Sequence, residues 1–261
     1  MNQQEEFDKN GYTVVKSFLN EGMTKFLYEY LTMKDSSMRY MIDNGFVYDK
    51  LNTNSIGVHY FGITENPDNK MGIGGCYSCY ADPAMETLLG GMTDIIGNLV
   101  GKSLLPTYSF CRLYIEGNEL KEHTDRPACE ISATLCLGYE DGTPWEIKMG
   151  DTSVAMEAGD VVIYKGIEIP HSREKYKGKK AGQVFLHYVD KNGKYFTEHG
   201  LDGRPCLGVP SPAGMASNQN LNLFIGDMDS GIALKEGTFF QEDKLDGLKT
   251  VKAKVPWTKL V

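Results

Sequence analysis

The sequence predicts a mostly β fold with flanking helices: a barrel or jelly roll buttressed by helices near its N-terminus. Three observations predict it. From about residue 109 onward, short runs of apolar and β-branched residues recur at roughly 8–12-residue spacing, with Gly, Asp and Pro between them. Ahead of them, 20–31 and 83–100 place their apolar residues at helical spacing. Within the strand-rich part lies a His-x-Asp pair, His123 and Asp125, followed by His171 on a later strand.

Taken in order, residues 4–9 form a short helical lead-in to a strand over 12–18, which alternates after Gly11. Asn20 is placed to cap a helix running to about Leu31, with apolar residues at 23, 26, 27, 30 and 31. From 35 to 60 the signal is mixed, and 46–62 reads as two strands or a long loop near the barrel mouth. The Gly-rich stretch 72–83 carries Cys76-x-x-Cys79, but no second pair with zinc spacing follows, so it reads as a loop. Asp82 caps a helix with Pro83 at its first position, running to about Val100. Its stripe at 85, 88, 89, 92, 95, 96 and 99 suits a helix packed on the outside of the sheet. Residues 109–123 give a strand, a Gly turn and a strand; further strands fall at 129–139, 144–149, 156–166, 167–174 and 181–190. The basic run 173–180 sits between two of these strands and reads as a solvated hairpin turn, and Gly159-Asp160 as the tight turn into the strand that follows.

Successive strand residues point to opposite faces, so His123 and Asp125 project to the same side. His171 arrives from a distant strand, with Pro170 tolerable at its start. Two imidazoles and one carboxylate make the facial triad of non-haem Fe(II) sites, which leaves positions open for co-substrate and O2.

The block Y-x-x-G-x-x-L-x-x-H-x-D … G-D-x-x-x-Y … H, carried here by Tyr114, Gly117, Leu120, His123, Asp125, Gly159, Asp160, Tyr164 and His171, resembles the double-stranded β-helix core of 2-oxoglutarate/Fe(II)-dependent oxygenases. The prolyl-hydroxylase-like branch is the nearest in character, and 10–31 is similar to that superfamily's strand-plus-helix entrance. The resemblance implies Fe(II) on His123, Asp125 and His171, with 2-oxoglutarate and O2 as co-substrates and ascorbate as a stimulant. It also implies C–H hydroxylation with release of succinate and CO2. Such enzymes place an Arg or Lys about ten residues after the second histidine to hold the distal carboxylate of 2-oxoglutarate. This chain departs from that pattern, since Ala181 and Gln183 stand on the inward face. Arg173 shares the strand face of His171, about 6.6 Å further along, and is the first expectation for that role. Lys180 is the second, if a bulge turns it inward. Tyr114 matches the pocket tyrosine of the resemblance, or is an ordinary strand aromatic. Thr134 and Ser132 share one face and are expected to donate to the co-substrate, while Cys136 beside them binds or simply packs. Arg126 and Trp145 are rim candidates for the prime substrate, and His187, facing inward near the mouth, is expected to hydrogen-bond the substrate or a metal-bound water rather than to be a fourth ligand. Asp125 argues against a halogenase, in which the carboxylate is replaced.

The prime substrate is expected to be a protein or peptide side chain, prolyl first, or a small molecule. A non-catalytic cupin-like protein that binds a metal or small molecule is the alternative. A net charge of −8 gives no electrostatic case for nucleic acid or an anionic membrane. The polar, acidic start suits neither a signal nor a transit peptide, so a cytoplasmic location with six cysteines as thiols is expected. Residues 1–190 are expected to form the oxygenase domain. Residues 191–261, rich in Gly, Pro, Ser and Asn at first, are expected to be an extension, a lid or packing segment, with no EF-hand spacing around 226–231.

Overall fold

The computed structural model describes residues 2–44, 61–63, 73–204 and 206–208. The chain divides into two compact units, Met1–Met215 and Ala216–Val261. The second lies outside the described residues, as do residues 46–60 of the strands or loop expected over 46–62 and most of the expected C-terminal extension.

Helix α1 (Gln3–Asn10) starts in a capping box between Asn2 and Glu5 and ends at Gly11 in the left-handed conformation. It leads into β1 (Tyr12–Val15), which stops short of residue 18 because Ser17 turns to a positive φ of 50°. Helix α2 (Glu21–Asp43) is capped by Asn20, whose side chain accepts from the Met23 N–H, but it runs twelve residues beyond the expected end. Its buried stripe is Thr24, Leu27, Leu31, Asp35 and Met38, so the helical period continues through a threonine and an aspartate. Asp35 is buried because Arg39 (2.9 Å) and Lys180 (3.3 Å) pair with it. Short β2 (Phe61–Ile63) pairs with β3 (Tyr77–Tyr80), which occupies the stretch expected to be a loop. Helix α3 (Pro83–Val100) has the expected bounds, with Asp82 accepting from the Ala84 N–H.

Eight strands follow: β4 (Leu104–Ile115), β5 (Leu120–His123), β6 (Ile131–Tyr139), β7 (Ile147–Met149), β8 (Thr152–Val154), β9 (Val161–Lys165), β10 (His171–Arg173) and β11 (Lys180–Asp190). Helix α4 (Phe196–His199) comes after them. All pairing is antiparallel, in a seven-stranded sheet β1-β9-β6-β11-β4-β3-β2 and a four-stranded sheet β5-β10-β7-β8. From β4 to β11 the chain passes back and forth between the two sheets.

Period-two alternation sorts the large sheet into two faces. Cys111, Leu113, Ile131, Ala133, Leu135, Val161, Ile163, Val184, Leu186 and Tyr188 pack under the helices in one core. On the other face, Cys136, Val162 and Tyr164 pack against Ile147, Met149 and Val154 of the small sheet, so the two sheets stack. A third cluster of Tyr114, Trp145, Tyr176 and Ala181 closes one end of that inter-sheet space. Tyr176 is therefore buried within the turn expected to be solvated, as is Arg173 at its start. Among the described residues no helix is long and apolar enough to cross a membrane.

Candidate metal centre

Strand β5 ends at His123, and β10 begins at His171 directly opposite it, so pairing of two short strands brings the imidazoles together with ring centroids 4.3 Å apart. Asp125 follows just past the end of β5, where its N–H donates to the Gly166 carbonyl at 2.8 Å. Its Oδ1 lies 3.8 Å from His123 Nε2 and 3.6 Å from His171 Nε2, and the three donor atoms fall within 4.8 Å of one another.

Each ligand is oriented from behind. His123 Nδ1–H donates to the Lys121 carbonyl (2.7 Å) and His171 Nδ1–H to the Ile169 carbonyl (3.0 Å), which leaves both Nε2 lone pairs facing Asp125. Asp125 Oδ2 accepts from Ser132 Oγ (2.9 Å), leaving Oδ1 for the centre. Gly166 makes room for this carboxylate, since a Cβ there would lie 2.6 Å from Asp125 Oδ2 and 2.7 Å from Ser132 Oγ. Burial pushes the Asp125 carboxyl up and the His171 imidazole down, so both groups lean towards their neutral forms without a cation. Two imidazole Nε2 atoms and a carboxylate oxygen converging within ligand distance fit a divalent iron.

Asp125, Cys129 and His187 also cluster within ligand distance. Burial pushes the Cys129 thiol well up, and its Sγ lies 3.1 Å from the Tyr108 hydroxyl, so it remains a protonated, packed thiol. Burial also holds His187 down at about 3, with Arg126 and His171 contributing in the same direction. With the Ser132 proton given to Asp125, the neutral His187 donates from Nδ1 to Ser132 Oγ at 3.0 Å.

Arg173 lies two residues past His171, fully within the space between the sheets. One guanidinium nitrogen donates to the Trp145 carbonyl (2.7 Å), and the other reaches Gln183 Oε1 (3.3 Å) and Met156 Sδ (3.4 Å). Its Nε and the Gln183 Nε2 are buried without a hydrogen-bond partner. Buried donors around a guanidinium that has no carboxylate partner among the described residues fit the distal carboxylate of 2-oxoglutarate.

The remaining expected site residues divide. Tyr114 is buried beside Trp145, at 4.8 Å between centroids. Thr134 faces the inter-sheet space, where its hydroxyl meets Tyr164 Oη at 3.4 Å. Ser132 serves Asp125 and His187 in place of the expected co-substrate contact. Lys180 is one residue out of phase with the inward-facing Ala181 and Gln183: it shares the outward face of Val184 and Leu186 and pairs with Asp35 of α2. Trp145 is no rim residue. At 5% exposure, its indole N–H donates to the Glu174 carbonyl (2.7 Å) and its ring lies under the Arg173 guanidinium at 4.9 Å. Arg126 is engaged by both carboxylate oxygens of Asp202 (2.7 and 2.8 Å) and stacks on Tyr108. Sequence reasoning missed Tyr108, Arg112 and Asp202. Tyr108 and Arg112 lie on the Tyr114 face of β4 and are found by continuing its alternation backwards. Asp202 pairs with Arg126 across 76 residues and gives no local signal.

This two-sheet architecture is similar to that of solved 2-oxoglutarate/Fe(II) oxygenases. A prolyl-4-hydroxylase from Pseudomonas putida superposes with a TM-score of 0.51 at 17% identity, over 71% of this chain and 96% of that one. The non-haem α-ketoglutarate-dependent carbocyclase SnoK of nogalamycin biosynthesis gives 0.51 at 12% identity, over 72% and 83%. AviO1 from Streptomyces viridochromogenes gives 0.50 at 13% identity, over 73% and 95%. At these identities the likeness is one of fold. Neither a protein-family model nor a curated protein matches the sequence.

Proposed function

We propose that the chain is an Fe(II)- and 2-oxoglutarate-dependent dioxygenase, built on a double-stranded β-helix, that hydroxylates an unactivated C–H bond. The observation that carries this reading is the orientation of the three ligands. Two Nδ1–H groups and one carboxylate oxygen are committed to backbone and Ser132, so Nε2, Nε2 and Oδ1 converge with nothing else to do.

When bound, iron and 2-oxoglutarate supply O2 activation coupled to oxidative decarboxylation, with succinate and CO2 as products. The protein's part is binding and positioning. His123, Asp125 and His171 would hold the ion through Nε2, Oδ1 and Nε2. Arg173, clamped between the Trp145 carbonyl and Gln183, would hold the distal carboxylate of 2-oxoglutarate. Tyr114, Trp145 and Tyr176 keep that end dry and strengthen the charge interaction. His187, neutral and bonded through Nδ1, keeps Nε2 as an acceptor at the other end of β11.

The test is anaerobic addition of Fe(II) and then 2-oxoglutarate, watching for the weak visible charge-transfer absorption of the chelate. The absorption should appear in the native protein, be absent in His171→Ala, and need much more 2-oxoglutarate in Arg173→Gln. Metal binding without the absorption would support a cupin-like binding protein instead, and failure to bind metal would remove the enzyme reading altogether.

A further inference from the structure

Among the described residues, four of the eight buried side-chain atoms without a partner belong to one region of the inter-sheet space: Arg112 Nε, Ser78 Oγ, Gln183 Nε2 and Arg173 Nε. The first three form a row. Arg112 on β4 pairs in register with Ser78 on β3 and with Gln183 on β11, and paired residues share a face. The Arg112 guanidinium stacks between the rings of Phe110 (4.9 Å) and Tyr114 (5.3 Å), and its hydrogen bond is to the Tyr114 hydroxyl at 3.3 Å. No carboxylate lies within ion-pair distance among the described residues. A guanidinium left in this state is expensive, because burial removes water and only one long hydrogen bond and two ring faces replace it.

Arg112 stands between the two ends of the candidate site. Four residues earlier on the same face, Tyr108 packs on His187 at 4.5 Å, close to the metal ligands. Two residues later, Tyr114 meets Trp145, which underlies Arg173. The space between the sheets therefore holds two guanidinium groups without a carboxylate. 2-Oxoglutarate brings one distal carboxylate once its other end is on the metal, and Arg173 answers it. The second guanidinium asks for a second anion.

We propose that Arg112, with Ser78 Oγ and Gln183 Nε2 beside it, binds a carboxylate of the prime substrate, which makes that substrate a small organic acid; the inference rests on the oxygenase reading above. A carboxylate suits the site because a planar fork of donors meets two coplanar oxygens. The aromatic rings of Phe110, Tyr114 and Phe185 around it suit an acid with an apolar body.

The experiment uses the full chain loaded with Mn(II), which blocks turnover, and saturated with 2-oxoglutarate. L-Proline, L-glutamate, benzoate and citrate are titrated by calorimetry, each beside its amide. At least one free acid should bind, and its amide should bind on the order of ten-fold or more weaker. Arg112→Gln should lose that acid affinity by a similar factor while 2-oxoglutarate affinity is unchanged, and Arg112→Lys, which keeps the charge, should retain part of it. No binding by any of the acids, or equal binding of acid and amide, overturns the proposal. So does loss of 2-oxoglutarate affinity in Arg112→Gln with retention in Arg173→Gln, since Arg112 would then be the co-substrate's partner. Absence of 2-oxoglutarate binding by the native Mn(II) protein overturns the oxygenase reading itself, which separates the two failures.

Discussion

Ser132 is the residue on which the candidate centre turns, although it offers the metal nothing. Its one proton goes to Asp125 Oδ2 at 2.9 Å, and its lone pair receives His187 Nδ1–H at 3.0 Å. The carboxylate rotates about its last bond unless something fixes it, and Ser132 is what fixes it with Oδ1 towards both imidazoles. Ser132→Ala should keep the fold and lower metal affinity by roughly 10–100-fold, the range expected when a partner behind a ligand is lost. Competition against a fluorescent chelator measures this, and unchanged affinity would mean that Asp125 is held by Gly166 and the backbone alone. The sequence showed Ser132 on the correct strand face but could not choose between a ligand carboxylate and a co-substrate as its partner. That choice depends on how far Asp125 reaches beyond the end of β5, which is a tertiary fact.

Alternation and capping made most elements legible, and the misses have common physical causes. Helix α3 was readable at both ends because Asp82, Pro83 and Gly101 mark them chemically. Helix α2 was not, because Asp35 interrupts its apolar stripe and becomes a buried helical position only when Lys180 and Arg39 reach it. The same ion pair explains why Lys180 was misjudged as a candidate inward residue. Asp160 shows the complementary case, an acid read correctly as part of a turn. Its carboxylate takes Lys16 Nζ (2.7 Å), Ser17 N–H (2.9 Å) and Glu157 N–H (2.7 Å), tying the end of β1 to the start of β9. Burial alone raises the Asp160 carboxyl, but these bonds more than offset it and hold it below its ordinary value of 3.8. A folded-state pKa below the unfolded one contributes stability that is present above the unfolded value and lost as pH falls through the folded one. Asp160→Asn should therefore cost about 1–3 kcal/mol near pH 7, and the gap from the native protein should narrow as pH falls below 3.8. Urea unfolding at a series of pH values reads this, and a gap that does not change with pH would remove the charge from the explanation.

The interior holds a set of charges that no oppositely charged side chain among the described residues fully neutralises. Asp125 sits with the imidazoles of His123 and His171, while Arg173 and Arg112 have no carboxylate among the described residues. By contrast, where the protein buries an ion pair for structure it completes it: Arg204 and Glu86 meet at 2.9 Å, and both of Glu86's oxygens also accept backbone N–H groups. The contrast separates charges that hold the fold from charges that await ligands, and no sequence pattern marks it, because both kinds look like isolated Arg and Glu on apolar strands and helices. Ligands that bind only the folded state stabilise it by mass action, about 2.7 kcal/mol each at a hundred times Kd. For a unit of this size that corresponds to a rise in Tm of roughly 5–10 °C. Mn(II) should therefore raise Tm in a thermal scan, and 2-oxoglutarate should raise it further only when Mn(II) is present, because one end of it binds the metal. Arg173→Gln should keep the metal step and lose most of the second. His171→Ala should lose both. A 2-oxoglutarate step of full size without metal would place that molecule away from the His123, Asp125 and His171 centre, and with it the assignment of Arg173 would fall.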